Sequence, residues 1–184
     1  MRPPLVLVSS RPEKADEALR FGFAVERASI DLPEIQAIDP GDIVEAKARG
    51  AFARLRRPVV VEDSGLLIAA WGGFPGALVR WLEKGAGVPA IPRMLTSWED
   101  RSATAVCVVA FFDGDRLVSG RGECEGSIAP FPRGTSGFGW DSIFIPAGED
   151  RTFAELGPAG KDAVSHRRRA WEALSANLPQ ELAR

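Results

Sequence analysis

The chain has 184 residues, enough for one domain with a substantial core, and no linker or charge block divides it, so residues 1–184 are expected to form a single domain. Its formal net charge of -2 argues against a broad basic surface for a nucleic-acid polymer. No apolar run reaches membrane-spanning length, and Cys107 and Cys124 show neither metal-site spacing nor a disulfide framework, so we expect a soluble cytoplasmic protein without a membrane partner.

A strand, a polar turn and a helix are predicted at the start of the chain. Residues 5–8 are apolar, Ser9 and Ser10 offer helix-capping hydroxyls, and Pro12 suits the first position of a helix. The N-terminus of such a helix presents free backbone N–H groups and a positive dipole, and Lys14 lies one turn inside it. The segment therefore predicts a phosphate-binding loop, although it lacks the glycine-rich pattern of a P-loop.

A second strand at residues 23–30 and a long amphipathic helix come next. The DLPE segment leads through Glu34 into a loop, and Asp39 followed by proline predicts the start of a helix that reaches Arg57. Lys47 lies at the border of the apolar stripe of this helix, where a long side chain can reach a site at the edge of the sheet.

Residues 59–67, VVVEDSGLL, carry an apolar β-branched run that stops at Glu62 and Asp63, followed by Ser64. Ionised carboxylates inside a sheet are costly unless they are paired or bound to a cation. We therefore expect both to lie at the open end of a strand, where ligands usually bind. The alternative is a turn acid that caps the next element. Residues 66–70 are predicted as another strand.

The middle of the chain predicts an extended mixed sheet. The segment GGFPG at residues 72–76 breaks into a helix, and a further short helix is expected at residues 89–98. Residues 102–112 read as a long apolar strand that returns, after a turn, as residues 117–128. With helices between the strands, the fold class is predicted to be α/β.

Residues 134–146, GTSGFGWDSIFIP, place three glycines around Phe138, Trp140 and Asp141, before a short apolar strand. Glycines let the backbone approach a ligand, and the two aromatic rings can stack on a base. A glycine-rich hairpin with aromatic residues in the core is the alternative interpretation.

Residues 161–167, KDAVSHR, contain the single histidine of the chain, His166, and lead into a helix that Ser165 can cap. Basic residues such as Arg167 oppose the dipole at a helix N-terminus, so they favour an anion there, with solvated arginines as the alternative. Lysines are rare, four against 19 arginines. Three of the four lie in the segments described above: Lys14, Lys47 and Lys161.

Together these segments resemble the inosine triphosphate pyrophosphatases, or Ham1-like hydrolases of deaminated purine nucleoside triphosphates. The likeness extends over nearly the whole chain, through LVSSRPEKADE at residues 7–17, IDLPEIQ at 30–36, VEDSGL at 61–66, GGFPG at 72–76, SGFGWDSIF at 136–144, and TFAEL with KDAVSHR within 152–167. The resemblance implies two lobes with the active-site cleft between them, hydrolysis of ITP, dITP and XTP to the monophosphate and pyrophosphate, and a homodimer.

The resemblance also implies roles for particular residues. Asp63 would accept the proton of the attacking water and, with Glu34, bind Mg²⁺; Glu62 could be an alternative or outer ligand. The other expected substrate-binding residues are Ser9, Ser10, Lys14, Lys47 and Lys161 toward the phosphates, and Phe138, Trp140, Asp141, His166 and Arg167 toward the base. Ser64 and Gly139 are expected to contact the substrate as well. Arginine has only donors, so Arg167 beside the 6-oxygen of hypoxanthine would disfavour the 6-amino group of adenine.

Two positions depart from the family pattern: Arg11 replaces the usual Asn of the first loop, and Ser142 replaces the usual Pro after the FGWD stretch. Arg11 could add a phosphate contact or point outward. Two other functions stay open. One is a related nucleotide pyrophosphatase of the Maf-like group that acts on another base, and the other is a nucleotide-binding regulator without turnover.

Overall fold

A mixed β-sheet forms the centre of the protein in the computed structural model, which describes residues 4–178. Within that range the sheet has seven strands, in the order β2-β1-β3-β5-β6-β7, with β4 paired to β3. The strand β1 is parallel to β2 and β3, whereas the pairs β3–β4, β3–β5, β5–β6 and β6–β7 are antiparallel. The strands are β1 Leu5–Val8, β2 Val25–Ala28, β3 Val59–Ile68, β4 Pro75–Gly76, β5 Ser102–Phe112, β6 Leu117–Ile128 and β7 Phe144–Pro146.

Helices cover both faces of the sheet, which confirms the predicted α/β class. Apolar residues of α1 and α6 pack on one face of β1, β3 and β5, and those of α2 pack on the opposite face. None of the helices within residues 4–178 is long and apolar enough to cross a membrane. The predicted division into two lobes stays a prediction. The helices are α1 Pro12–Arg20, α2 Pro40–Leu55, α3 Val79–Ala86, α4 Ala90–Met94, α5 Phe153–Val164 and α6 His166–Asn177.

The strand β3 runs without a break through both carboxylates, so the predicted strand end at Glu62 and Asp63 is wrong. Residues 66–70 are likewise not a separate strand. The strand β3 continues to Ile68, and a short 3₁₀ helix, Ala69–Trp71, follows it. Pairing with β5 extends along the whole of β3. The parallel neighbour β1, however, stops at Val8, opposite Val61. The opening that the carboxylates require is therefore the end of β1.

Two predicted elements are shorter in the structure than in the prediction. The strand expected at residues 23–30 reduces to β2, and the helix expected at residues 89–98 reduces to α4. The helix α5 is missed by the patterns above, although Thr152 and Glu155 form a capping box at its start. A hydroxyl residue followed three positions later by glutamate is a sequence signal that could have found it.

The predicted helix caps are confirmed at α2 and α6 but are wrong at α1. Asp39 accepts the N–H of Gly41, and Ser165 accepts two N–H groups of α6. The N-cap of α1 is Arg11, whose side chain makes no capping hydrogen bond. The hydroxyl of Ser9 instead accepts the N–H of Arg11, the residue just before the first helical position.

Candidate functional site

A cavity of about 710 Å³ opens where β1 ends, between the N-terminus of α1, the helices α2 and α3, and the 3₁₀ turn Gly139–Ser142. Its size lies within the range of small-molecule and cofactor pockets. It brings together the predicted site residues of the described chain except Lys161 and Glu62, which was predicted as an alternative metal ligand. The predicted residues that line it are Ser9, Ser10, Lys14, Glu34, Lys47, Asp63, Ser64, Phe138, Gly139, Trp140, Asp141, His166 and Arg167.

The two adjacent carboxylates point to opposite faces of β3, because successive side chains of a strand alternate. Asp63 lies on the face of α2, where the Lys47 ammonium is 4.0 Å from its Oδ1. Glu62 lies on the face of α1 and α6, and Arg167 donates hydrogen bonds both to Glu62 and to Ser64, two positions along the strand. Glu62 and Asp63 are adjacent in the sequence but lie in two different environments.

On the open face, one cation lies between two carboxylates. The Lys47 Nζ donates to Glu34 Oε1 at 2.7 Å and to the carbonyl oxygen of Glu62 at 3.3 Å, while Arg80 lies 3.3 Å from the other oxygen of Glu34. That carbonyl faces the gap left beyond the end of β1. Glu34 and Asp63 are thus already arranged to share a positive charge.

The pKa values of Asp63 and Glu34 shift in opposite directions. Burial raises the pKa of Asp63 above its usual range, and the charges of Lys14 and Lys47 offset only part of this effect. Burial would also raise the pKa of Glu34, but the charges of Lys47 and Arg80 outweigh it and lower that pKa. Asp63 therefore holds a proton more readily than an exposed aspartate, which suits a proton acceptor.

On the closed face, Glu62 is buried and fully paired. Arg167 Nε donates to its Oε1 at 2.8 Å, Trp171 Nε1 donates to its Oε2 at 3.2 Å, and Lys14 Nζ is 3.2 Å from Oε1. Burial by itself would raise the pKa of Glu62, but the charges of Arg167 and Lys14 lower it to about 2. Glu62 therefore holds its cationic neighbours in place and stays ionised.

Glu17 of α1 is a site residue that the sequence patterns miss. Its carboxylate accepts Arg167 Nη1 and lies 2.7 Å from Lys161 Nζ, and only 3% of the residue is exposed. From the sequence alone, a charged residue in a short helix looks like one that is exposed to water. The partners of Glu17, Arg167 and Lys161, lie far away in the sequence. The signal in the sequence is the place of Glu17, one turn after Lys14 in the segment LVSSRPEKADE, which is part of the resemblance to the family.

Lys161 lies behind the cavity wall. Its ammonium is 2.7 Å from Glu17 and donates to Asp141 Oδ2 at 2.7 Å, and it is 4.7 Å from the centre of the Phe138 ring. Asp141 in turn accepts the N–H of Phe138 at 2.9 Å. This position favours a role in holding the aromatic turn. The predicted contact of Lys161 with phosphate stays a prediction.

Aromatic residues and an unpartnered histidine form the other end of the cavity. Trp140 packs edge-on against Phe144 and lies 5.4 Å, ring centre to ring centre, from His166. His166 is 1% exposed, and neither of its ring nitrogens has a hydrogen-bond partner among the described residues. Burial and the neighbouring charge of Arg167 lower its pKa well below the usual range, so the imidazole is neutral. Both nitrogens are buried at the wall of the cavity.

The chain is similar to known proteins over nearly its whole length. The model of the Ham1 family matches residues 5–177. The dITP/XTP pyrophosphatase of Methanopyrus kandleri is 45% identical over 154 residues, which cover 83% of this chain and 82% of that protein. The inosine triphosphate pyrophosphatase of Yarrowia lipolytica is 39% identical over 165 residues, covering 87% and 85%. The structure of a HAM1 protein from Coxiella burnetii superposes with a TM-score of 0.81 at 32% identity, covering 96% of this chain and 98% of that one. The chain belongs to the Ham1 family.

Proposed function

We propose that the protein hydrolyses the deaminated purine nucleoside triphosphates ITP, dITP and XTP to the monophosphate and pyrophosphate. The observation that carries the proposal is that Glu34 and Asp63 both lie beside the Lys47 ammonium, on the wall of a cavity large enough for a nucleotide. The Methanopyrus relative is a dITP/XTP pyrophosphatase and the Yarrowia relative an inosine triphosphate pyrophosphatase, which supports the substrate class.

Cleavage between the α and β phosphates needs charge neutralisation, a positioned water and a grip on the leaving pyrophosphate. Lys14 and Lys47 supply positive charge from opposite sides of β3, and the N-terminus of α1 supplies a positive dipole end. Asp63, with its raised pKa, orients the attacking water and takes its proton.

Mg²⁺ fits the open face. Glu34 and Asp63 would hold the ion, because both carboxylates lie beside the Lys47 ammonium. The described residues contain no group of three or more His, Cys, Asp or Glu side chains that could hold a metal, so the other ligands would come from outside the protein. Two carboxylate oxygens suit Mg²⁺, which fills its remaining positions with water and substrate phosphate. When bound, the ion would neutralise phosphate charge and lower the pKa of a bound water.

The base is proposed to lie against Phe138 and Trp140, with His166 and Arg167 at its edge. Arg167 has five N–H donors, of which Glu62, Glu17 and Ser64 engage three within the described chain. The remaining donors favour a carbonyl oxygen, as at position 6 of hypoxanthine and xanthine, over the amino group of adenine.

Product analysis tests this function. Purified protein with Mg²⁺ is given ITP, dITP, XTP, GTP, ATP and dTTP, and the products are separated by chromatography. We expect monophosphate and pyrophosphate in a single step, fastest with the deaminated purines. Diphosphate and orthophosphate would contradict the proposed cleavage site, a preference for dTTP would favour the Maf-like alternative, and binding without turnover would favour a regulator.

A homodimer in the cytoplasm, with no nucleic-acid or membrane partner, belongs to the same proposal and is supported by the resemblance. Light scattering coupled to size exclusion tests the oligomer, because one chain has a mass of 19.8 kDa. A mass twice that value supports the homodimer, and a mass of one chain contradicts it.

A further inference from the structure

Arg11, which departs from the family pattern, has its guanidinium at the base end of the cavity. Its Nη2 donates to Glu83 Oε2 of α3 at 3.0 Å, and its Cζ lies over the Phe138 ring, 5.7 Å from the ring centre. The side chains of Arg11 and Glu83 are 34% and 11% exposed. The guanidinium therefore does not point outward into solvent, which was one of the two expectations for it, and the expected phosphate contact stays a prediction.

The surrounding structure fixes where this side chain starts. The Ser9 hydroxyl accepts the N–H of Arg11 at 3.1 Å and lies 3.2 Å from its carbonyl oxygen, so the backbone is held and the side chain alone can move. A Cβ added to Gly139, which has a φ of 60°, would lie 3.1 Å from Glu83 Oε1 and 3.2 Å from Arg11 Nη1. The ion pair thus rests on the bare backbone of the aromatic turn.

The Arg11 guanidinium lies closer to Phe138 than a bound base would allow. Flat groups in van der Waals contact lie roughly 3.5 Å apart, so a base between Phe138 and a guanidinium needs about 7 Å. The Cζ of Arg11 is 5.7 Å from the ring centre, so a base can enter only if the arginine moves outward. A shift of roughly 1 Å by the arginine, the flexible partner, would admit a purine.

We propose that Arg11 binds the nucleobase by stacking on the face opposite Phe138, and that Glu83 is a positioning residue that holds the guanidinium there. The inference rests on the proposed function and adds a base-binding residue to its site. The charge of Glu83 also offsets that of Arg11, which keeps the guanidinium from being drawn to the triphosphate. Stacking needs the planar guanidinium, which lysine cannot supply.

Equilibrium binding separates stacking from phosphate binding. Wild type, Arg11→Lys and Arg11→Asn are titrated with IMP and with inorganic tripolyphosphate by calorimetry. Both variants should bind IMP about tenfold more weakly, because stacking on a base is lost, and should bind tripolyphosphate as wild type does. Arg116→Lys, an exposed arginine paired with Asp113 in the β5–β6 turn, is the matched control and should change neither affinity.

Arg11 makes no capping hydrogen bond, so these variants should fold, and thermal unfolding checks this. Glu83→Gln should weaken IMP binding about threefold in wild type and leave Arg11→Lys unchanged, because the glutamate acts through the arginine. Wild-type affinity for IMP in Arg11→Lys, or a parallel loss for tripolyphosphate, would overturn the stacking role. A wild-type protein that neither binds IMP nor hydrolyses ITP would instead refute the proposed function.

Discussion

The two faces of β3 treat neighbouring carboxylates in opposite ways. Glu62 is enclosed by Arg167, Lys14 and Trp171, and its pKa falls to about 2 although burial alone would raise it. Asp63 faces the cavity with Lys47 at 4.0 Å, and burial raises its pKa. Burial acts in the same direction on both carboxylates, so the difference between their pKa values comes from the number and closeness of their cationic partners.

The same comparison separates fixed groups from exchangeable ones. The closed face joins three buried carboxylates to cations through contacts within the protein, and these contacts leave the carboxylates little to gain from a ligand. The groups of the open face border the cavity, so the proposed Mg²⁺ would take the place of Lys47 beside Glu34 and Asp63 and free its ammonium for substrate phosphate. We therefore expect substitutions on the open face to affect turnover and those on the closed face to affect stability first. The buried carboxylates are those of Glu17, Glu62 and Asp141.

The largest effect is expected for Asp63→Asn. Loss of the proton acceptor should lower kcat for ITP by about 10³-fold or more, while the affinity for ITP stays within a few fold because the phosphate and base contacts persist. Steady-state kinetics and calorimetry measure the two quantities. Activity within about tenfold of wild type would remove Asp63 from the catalytic role.

Glu62→Ala should produce the largest loss of stability. Removing this carboxylate leaves the buried Arg167 without a main partner, and breaking a buried ion pair costs about 3–5 kcal/mol of unfolding free energy. Urea denaturation measures the change. The matched control is Glu45→Ala, whose partner Arg49 is exposed and whose effect should be below about 1 kcal/mol. Equal effects for the two variants would contradict a special role of the closed face.

Sequence reasoning found the open face more completely than the closed one. Glu34, Lys47 and Asp63 each stand out as polar residues beside apolar runs, in segments that resemble a family. Glu17 does not stand out, because its burial depends on Arg167, which lies 150 positions later in the chain. The error at β3 has a related cause. Two charges inside a strand look like its end unless their partners on another element are known.

The pH dependence of stability should carry the signature of Glu62. Its folded pKa of about 2 lies below its ordinary value of 4.5, so its contribution is complete above pH 4.5 and is lost as the pH falls toward the folded pKa. Glu62→Gln should therefore lose less stability than wild type over that interval, measured by urea unfolding at several pH values. A raised pKa has the opposite sign, so Asp63→Asn should not flatten the acid limb.

The smallest of these effects concerns Arg167, which belongs to the closed face yet lines the cavity. Arg167→Lys keeps the charge beside Glu62 and Glu17 but loses the planar fork, so the protein should fold while its edge contact with the base weakens. We expect the ratio of kcat/KM for ITP over ATP to fall, with a loss of about 1–3 kcal/mol in the free energy that separates the two substrates. Arg168→Lys is the control, because the next residue of α6 is exposed and pairs with Glu172, and it should leave the ratio unchanged. If Arg167→Lys lost stability while keeping the wild-type ratio, the closed face would serve only to support β3. Selection of the base would then rest with other groups at that end of the cavity, such as the His166 nitrogens, which have no hydrogen-bond partner among residues 4–178.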